Sequence, residues 1–255
     1  MELKTLKSKW VAVFSKPTQP KMRMFCFPYA GGSAQVYKNW NDLLPDYLQL
    51  SAIQLPGRSS RFTEEPYNTI EPLLDDLMPE IRPFLDMPFV FFGHSLGAAV
   101  SFELSRRLQS DGLRPEFLFV SGRNAPHLPR KRPPIHHLPE GEFKTELLSM
   151  NGTPKEILEN QELMDLMVPM LRADFSVSET YEHQEGENLT CPMASFGGVD
   201  DPDVDEEGVS GWGKHTKGPF QYRMLPGDHF FLHQSREMLL QEIAQYLNKR
   251  LYHWV

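Results

Sequence analysis

The sequence predicts an α/β fold, a mostly parallel central sheet with helices on both faces. Short apolar runs recur along the chain, and most are followed by a turn and then a helical pattern. The clearest runs are near-continuous in apolar residues rather than alternating, as strands covered on both faces should be. Strands that alternate with helices build parallel sheets, and ligands of such sheets sit at the carboxyl ends of the strands.

The predicted strands are 22–27, 48–54, 88–92, 116–121, 192–196 and 220–225. Turn residues bound them: Pro56-Gly57 follows the second, Gly93 the third, Gly122 the fourth, Gly197-Gly198 the fifth and Pro226-Gly227 the last. The clearest helical patterns are 96–109 and 235–247. From about Ala125 to Leu189 the strand rhythm stops. A Pro-rich, basic lead-in (Pro126, Pro129, Pro133, Pro134) precedes helical patterns at 141–150, 154–160 and 161–176, and strands resume at Cys191. One domain over 1–255, carrying a helical lid inserted at 125–189, fits this order better than two domains.

Composition narrows the function. With 255 residues the chain can bury a large core without a metal or disulfide staple. Its net charge is −8 and opposes whole-surface attraction to nucleic acid or anionic lipid. Two cysteines, Cys26 and Cys191, cannot form a disulfide framework, no CxxC pair suggests zinc, and both are expected buried and inert. No apolar run is long enough to span a membrane, and Met1-Glu2-Leu3-Lys4 carries charge where a signal peptide needs apolar residues. A cytoplasmic monomer is expected.

The chemistry concentrates in Phe89-Val90-Phe91-Phe92-Gly93-His94-Ser95-Leu96-Gly97-Ala98-Ala99, a strand, a G-x-S-x-G and a helix start. Such an elbow turns so sharply that its serine is strained, and side chains two residues before and after would collide, so glycine is needed at both. The turn lifts the Ser95 hydroxyl clear of the sheet, and the amide of Leu96 at the helix start can face an oxyanion. The adjacent His94 side chain should diverge from Ser95 and be structural or line the site.

A serine hydroxyl needs a base, and the base an orienting acid, in the chain order serine, acid, histidine. After Ser95, Asp200 and Asp201 follow one predicted strand, and Gly227-Asp228-His229 follows another. His229 is preferred over His233, which lies one helical turn on. Spacing alone does not separate Asp200 from Asp201. The second oxyanion donor should come from the loop after an early strand, where Phe27-Pro28-Tyr29-Ala30-Gly31-Gly32-Ser33 offers the amide of Ala30. No G-K-[ST] follows this loop, so it is no P-loop.

Five segments in one order, Phe27–Gly32, Leu55-Pro56-Gly57-Arg58, Gly93–Gly97, Leu171-Arg172-Ala173-Asp174-Phe175 and Gly227-Asp228-His229-Phe230, resemble the type II thioesterases that accompany nonribosomal peptide and polyketide synthetases. The similarity runs from about Met22 to Leu247. It implies an α/β-hydrolase fold with a lid, and hydrolysis of acyl or aminoacyl thioesters from the phosphopantetheine arm of carrier proteins, clearing stalled or mis-primed carriers. By resemblance Ser95, Asp201 and His229 are the triad and Ala30 and Leu96 the oxyanion amides. No metal or cofactor of the protein's own is implied, since phosphopantetheine arrives on the carrier.

Weaker signals remain. Met150, Met164, Met167 and Met170 lie in the lid with several leucines, and flexible thioethers suit an adaptable acyl pocket or ordinary helix contacts. Met167, Met170, Tyr29 and His94 are the candidate substrate contacts. The basic run Arg130-Lys131-Arg132 is a candidate for meeting an acidic carrier surface or the phosphate of its arm. Arg58 and Arg61 are expected to form salt bridges, and Trp10, Trp40 and Trp212 to anchor the core.

Overall fold

The structure is a computed structural model that describes residues 8–14, 17–150, 152 and 160–251. Its centre is one seven-stranded sheet: β1 (Val11–Val13), β2 (Met22–Phe27), β3 (Leu48–Ile53), β4 (Phe89–His94), β5 (Phe117–Ser121), β6 (Met193–Gly198) and β7 (Phe220–Leu225). The spatial order is β1-β3-β2-β4-β5-β6-β7, with only the β1–β3 pair antiparallel. All six predicted strands form, each within two residues of its expected bounds. The added strand is the three-residue β1 at one edge.

Alternation through the pleat divides the strands' apolar residues between two cores. Phe25, Phe27 and Phe91 face a layer containing α1 (Ile70–Ile81) and α2 (Leu96–Ser110), with Leu73, Leu77, Phe102 and Leu104 buried there. Met24, Cys26, Val90 and Phe92 face the other layer, which contains the 3-10 segment Ala34–Leu43 and the C-terminal helix Arg236–Leu251. Tyr37 and Trp40 stack edge-on with Phe92 there. Both cysteines are buried and neither forms a disulfide among the described residues, and Trp10, Trp40 and Trp212 are buried as expected.

Between β5 and β6 the chain forms α3 (Glu140–Ser149) and α4 (Gln161–Thr180). These helices have a small core of their own, in which Phe143, Leu147, Met164 and Leu171 are buried around Ile135. The expected helix 154–160 lies outside the described residues apart from Asn160, whose side chain caps α4 by accepting the Leu163 N–H at 3.1 Å. No helix among the described residues is long and apolar enough to cross a membrane.

Candidate active site

Strand β4 runs straight into the elbow. Ser95 adopts φ 54° and ψ −111°, a region disfavoured for any side chain by roughly 1–3 kcal/mol. The surroundings hold it there: its N–H donates to Ser121 O at 2.8 Å, and its carbonyl accepts from Ala98 N–H at 3.0 Å. A Cβ on Gly93 would collide with the Gly97 carbonyl, and one on Gly97 with the Phe27 carbonyl of β2. Both glycines are therefore required by crossing backbone, as the elbow demands. Leu96 opens α2, where the first N–H groups have no intrahelical acceptor.

The loops after β6 and β7 bring an acid to an imidazole. Asp201 Oδ2 accepts from His229 Nδ1 at 2.7 Å, and the Asp201 carboxyl is fully shielded from solvent. Its Oδ1 accepts the N–H groups of Asp203 at 2.9 Å and Val204 at 3.2 Å, which stabilise the charge and fix its direction. With the Nδ1 proton committed to Asp201, Nε2 is the lone-pair nitrogen of the neutral His229 ring. Of the two adjacent aspartates, Asp201 is buried against the ring, whereas Asp200 is exposed. His233 points elsewhere, its Nε2 lying 3.0 Å from Tyr29 Oη.

Ser95, His229, Ala30 and Tyr29 line one cavity of about 440 Å³, at the carboxyl edge of the sheet. Leu147, Met150, Leu171 and Phe175 form its wall on the lid side. Three expected substrate contacts are corrected. His94 has no exposed surface: its Nε2 donates to the His229 carbonyl at 2.9 Å and its Nδ1 accepts from the Ser121 hydroxyl at 2.9 Å. Burial first, and the nearby His229 second, push its pKa well below the usual value and keep it neutral. Met170 faces away from the cavity, over the turn at Gly57, and Met167 is not among the residues that line it. Tyr29 alone of the four borders the cavity.

The basic run reaches the cavity mouth with its charges already paired. Lys131 meets Asp205 at 2.6 Å, Arg132 meets Asp203 at 2.5 Å, and Arg130 lies 3.6 Å from Glu179. Since Asp203 also donates to Asp201, the run braces the acid's loop.

A residue whose role sequence reasoning did not assign sits beside the glycine loop. Asp174 of α4 is buried and accepts the Gly31 N–H at 2.7 Å, while pairing with Arg58 at 2.5 and 2.7 Å. The signal was present, because both lie in the Leu55–Arg58 and Leu171–Phe175 segments noted above, and Arg58 forms the expected salt bridge.

Residues 22–251 match the family model described as a thioesterase domain. The chain belongs to the thioesterase family. This thioesterase is 44% identical to the linear gramicidin dehydrogenase LgrE of Brevibacillus parabrevis, over 96% of this chain and 94% of LgrE. It is 39% identical to the gramicidin S biosynthesis protein GrsT of Aneurinibacillus migulanus, over 94% of each chain. Among solved structures, the type II thioesterase BorB from the borrelidin biosynthetic cluster superposes with a TM-score of 0.85 at 36% identity, covering 93% of this chain and 97% of BorB. The thioesterase therefore has the α/β-hydrolase fold, and is a hydrolase.

Proposed function

We propose that the protein is a type II thioesterase that hydrolyses acyl or aminoacyl thioesters from the phosphopantetheine arm of carrier proteins, regenerating stalled or mis-primed synthetase carriers. The observation that carries this reading is the buried Asp201–His229 hydrogen bond at 2.7 Å opening on the same cavity as the strained Ser95. GrsT is named for gramicidin S biosynthesis and BorB as a type II thioesterase of the borrelidin biosynthetic cluster, which supports this reading.

In the proposed mechanism His229 Nε2 takes the Ser95 proton as the hydroxyl attacks the thioester carbonyl. The amides of Ala30 and Leu96 receive the oxyanion, and Asp201 stabilises the imidazolium that forms. His229 returns the proton to the departing pantetheine sulfur, leaving acyl-Ser95. Water deprotonated by His229 then attacks the acyl carbonyl, the second oxyanion collapses with cleavage of the ester bond to Ser95 Oγ, His229 returns the proton to that oxygen, and the free acid leaves. The cavity wall of Leu147, Met150, Leu171 and Phe175 receives the acyl group. No cofactor of the protein's own takes part.

LgrE's name attaches redox chemistry to LgrE. In this chain the loop after β2 reads Pro28-Tyr29-Ala30-Gly31-Gly32-Ser33, without the G-x-G-x-x-G spacing that cradles a dinucleotide. The test is hydrolysis of one acyl series carried on holo-carrier protein and, in parallel, on N-acetylcysteamine. The carrier series should be preferred at least about 10-fold in kcat/KM, through contacts remote from the reacting carbonyl. Equal values would assign the chain to general thioester or ester hydrolysis instead, and full activity in Ser95→Ala would remove the assigned nucleophile.

A further inference from the structure

We propose that Asp174, on the lid helix α4, is a positioning residue of the oxyanion hole, with Arg58 as its fixed counter-charge. The inference rests on the assignment of Ser95 and the Ala30 amide made above.

The loop after β2 is a tight turn at Tyr29–Gly32, closed by the Gly32 N–H donating to Tyr29 O at 2.9 Å. Gly31, its third residue, has φ +78°, the left-handed value that a type II turn requires there. Tyr29 C=O and Ala30 N–H belong to one trans peptide and point in opposite directions. With the carbonyl tied inward by Gly32, the Ala30 N–H is turned outward, and Ala30 borders the cavity.

The peptide that can still rotate is the one between Ala30 and Gly31, whose reversal distinguishes type I from type II. Its N–H is the group that donates to Asp174 Oδ2 at 2.7 Å. Reversal would aim the Ala30 carbonyl at a carboxylate, so Asp174 holds the turn in one form. Arg58 completes the clamp. It pairs with both carboxylate oxygens, donates to Gly32 O at 3.2 Å and to Pro56 O at 3.1 Å, and is itself buried. Leu171 of the same lid helix covers the turn, since a Cβ on Gly31 would lie 2.6 Å from its Cδ2.

Stability alone gives little reason to bury such a pair, because desolvation offsets most of its attraction and apolar replacements are often as stable. An apolar pair could not, however, hold an amide in one direction. The lid helix thus reaches through its own wall to hold, in its type II form, the turn whose first peptide carries the oxyanion donor.

The test uses the full chain with Arg58→Met and Asp174→Leu together, which removes the pair without stranding a charge. Octanoyl-N-acetylcysteamine is the substrate, and an alkyl trifluoromethyl ketone, which adds to a serine as an oxyanionic hemiketal, is the probe. Expected are a cooperative melt, kcat lowered about 30-fold with KM within about 3-fold, and a ketone Ki raised in step with the loss in kcat/KM. A folded variant with kcat within about 3-fold of wild type, or with kcat lost while the ketone Ki stays unchanged, overturns the proposal. If the double variant does not fold, Asp174→Asn decides by the same two readouts, because it keeps the volume but weakens the acceptor and leaves Arg58 half paired. Failure of the wild-type protein to hydrolyse the thioester or to bind the ketone would instead overturn the hydrolase reading beneath it.

Discussion

Replacing Asp201 with asparagine removes one charge and leaves the carboxamide a single way to sit. Oδ1 of Asp201 accepts from Asp203 N–H and Val204 N–H at 2.9 and 3.2 Å. Turning the amide nitrogen toward them would strand two backbone donors, at a cost of about 1–3 kcal/mol each. The new oxygen therefore stays on those donors, and the new NH2 faces His229 Nδ1, 2.7 Å away in the parent. An imidazole facing a donor must accept there, so its proton moves to Nε2. The base then presents a proton to Ser95 where it needs a lone pair, and no carboxylate stabilises the imidazolium. Acylation and deacylation both fail, and kcat should fall by about 10³–10⁴, or about 4–5.5 kcal/mol of transition-state stabilisation. KM should stay within about 3-fold and the melting temperature within a few degrees, because the loop's hydrogen bonds persist. Steady-state hydrolysis of octanoyl-N-acetylcysteamine, alongside a thermal melt, checks this. A folded Asp201→Asn protein that loses less than about 10-fold in kcat refutes the reasoning.

Two further outcomes follow from the same geometry. Gly97→Ala puts a methyl into the Phe27 carbonyl of a central strand, where only backbone can yield, so a stability loss of about 2–4 kcal/mol is expected; an unchanged urea midpoint would contradict it. His215 is buried beside His183 and His127, and its pKa is lowered to about 4, mainly by burial and then by those neighbours. An unfolded histidine titrates near 6.5, so between roughly pH 6.5 and 4 the unfolded chain binds the extra proton and stability declines as pH falls. The His215 share of that decline is about 1–3 kcal/mol, and urea unfolding at pH 7 and pH 4.5 should show a shallower decline in His215→Gln; identical declines would exclude it.

What the sequence made legible was local. The strands are continuous apolar runs ending in glycine or proline, and the elbow compresses its whole geometry into Gly93–Gly97. Helix Ile70–Ile81 carries a regular stripe at Ile70, Leu73, Leu74, Leu77 and Ile81, but Pro72 and Pro79 obscure it as punctuation. Strand Val11–Val13 is too short to show a period. The Arg58–Asp174 pair joins residues 116 apart, a distance over which no sequence pattern extends. Met170 was misassigned for a rotational reason. Residues on one helix separated by a single position differ by about 100° in direction, so the cavity receives Leu171 and Phe175 while Met170 turns toward Gly57. Which arc of α4 faces inward is decided by the loops beneath it.

The uncharged ring at position 94 sets a ruler between two parts of the chain that never pair as strands. One nitrogen gives a proton to the backbone of residue 229 and the other takes one from Ser121, so the spacing from elbow to imidazole loop is copied from the width of a heterocycle. A replacement must both give and take across that same span, which leaves few side chains able to serve. Substitution at this position should therefore be tolerated less than at exposed positions, although the ring has no surface in the cavity.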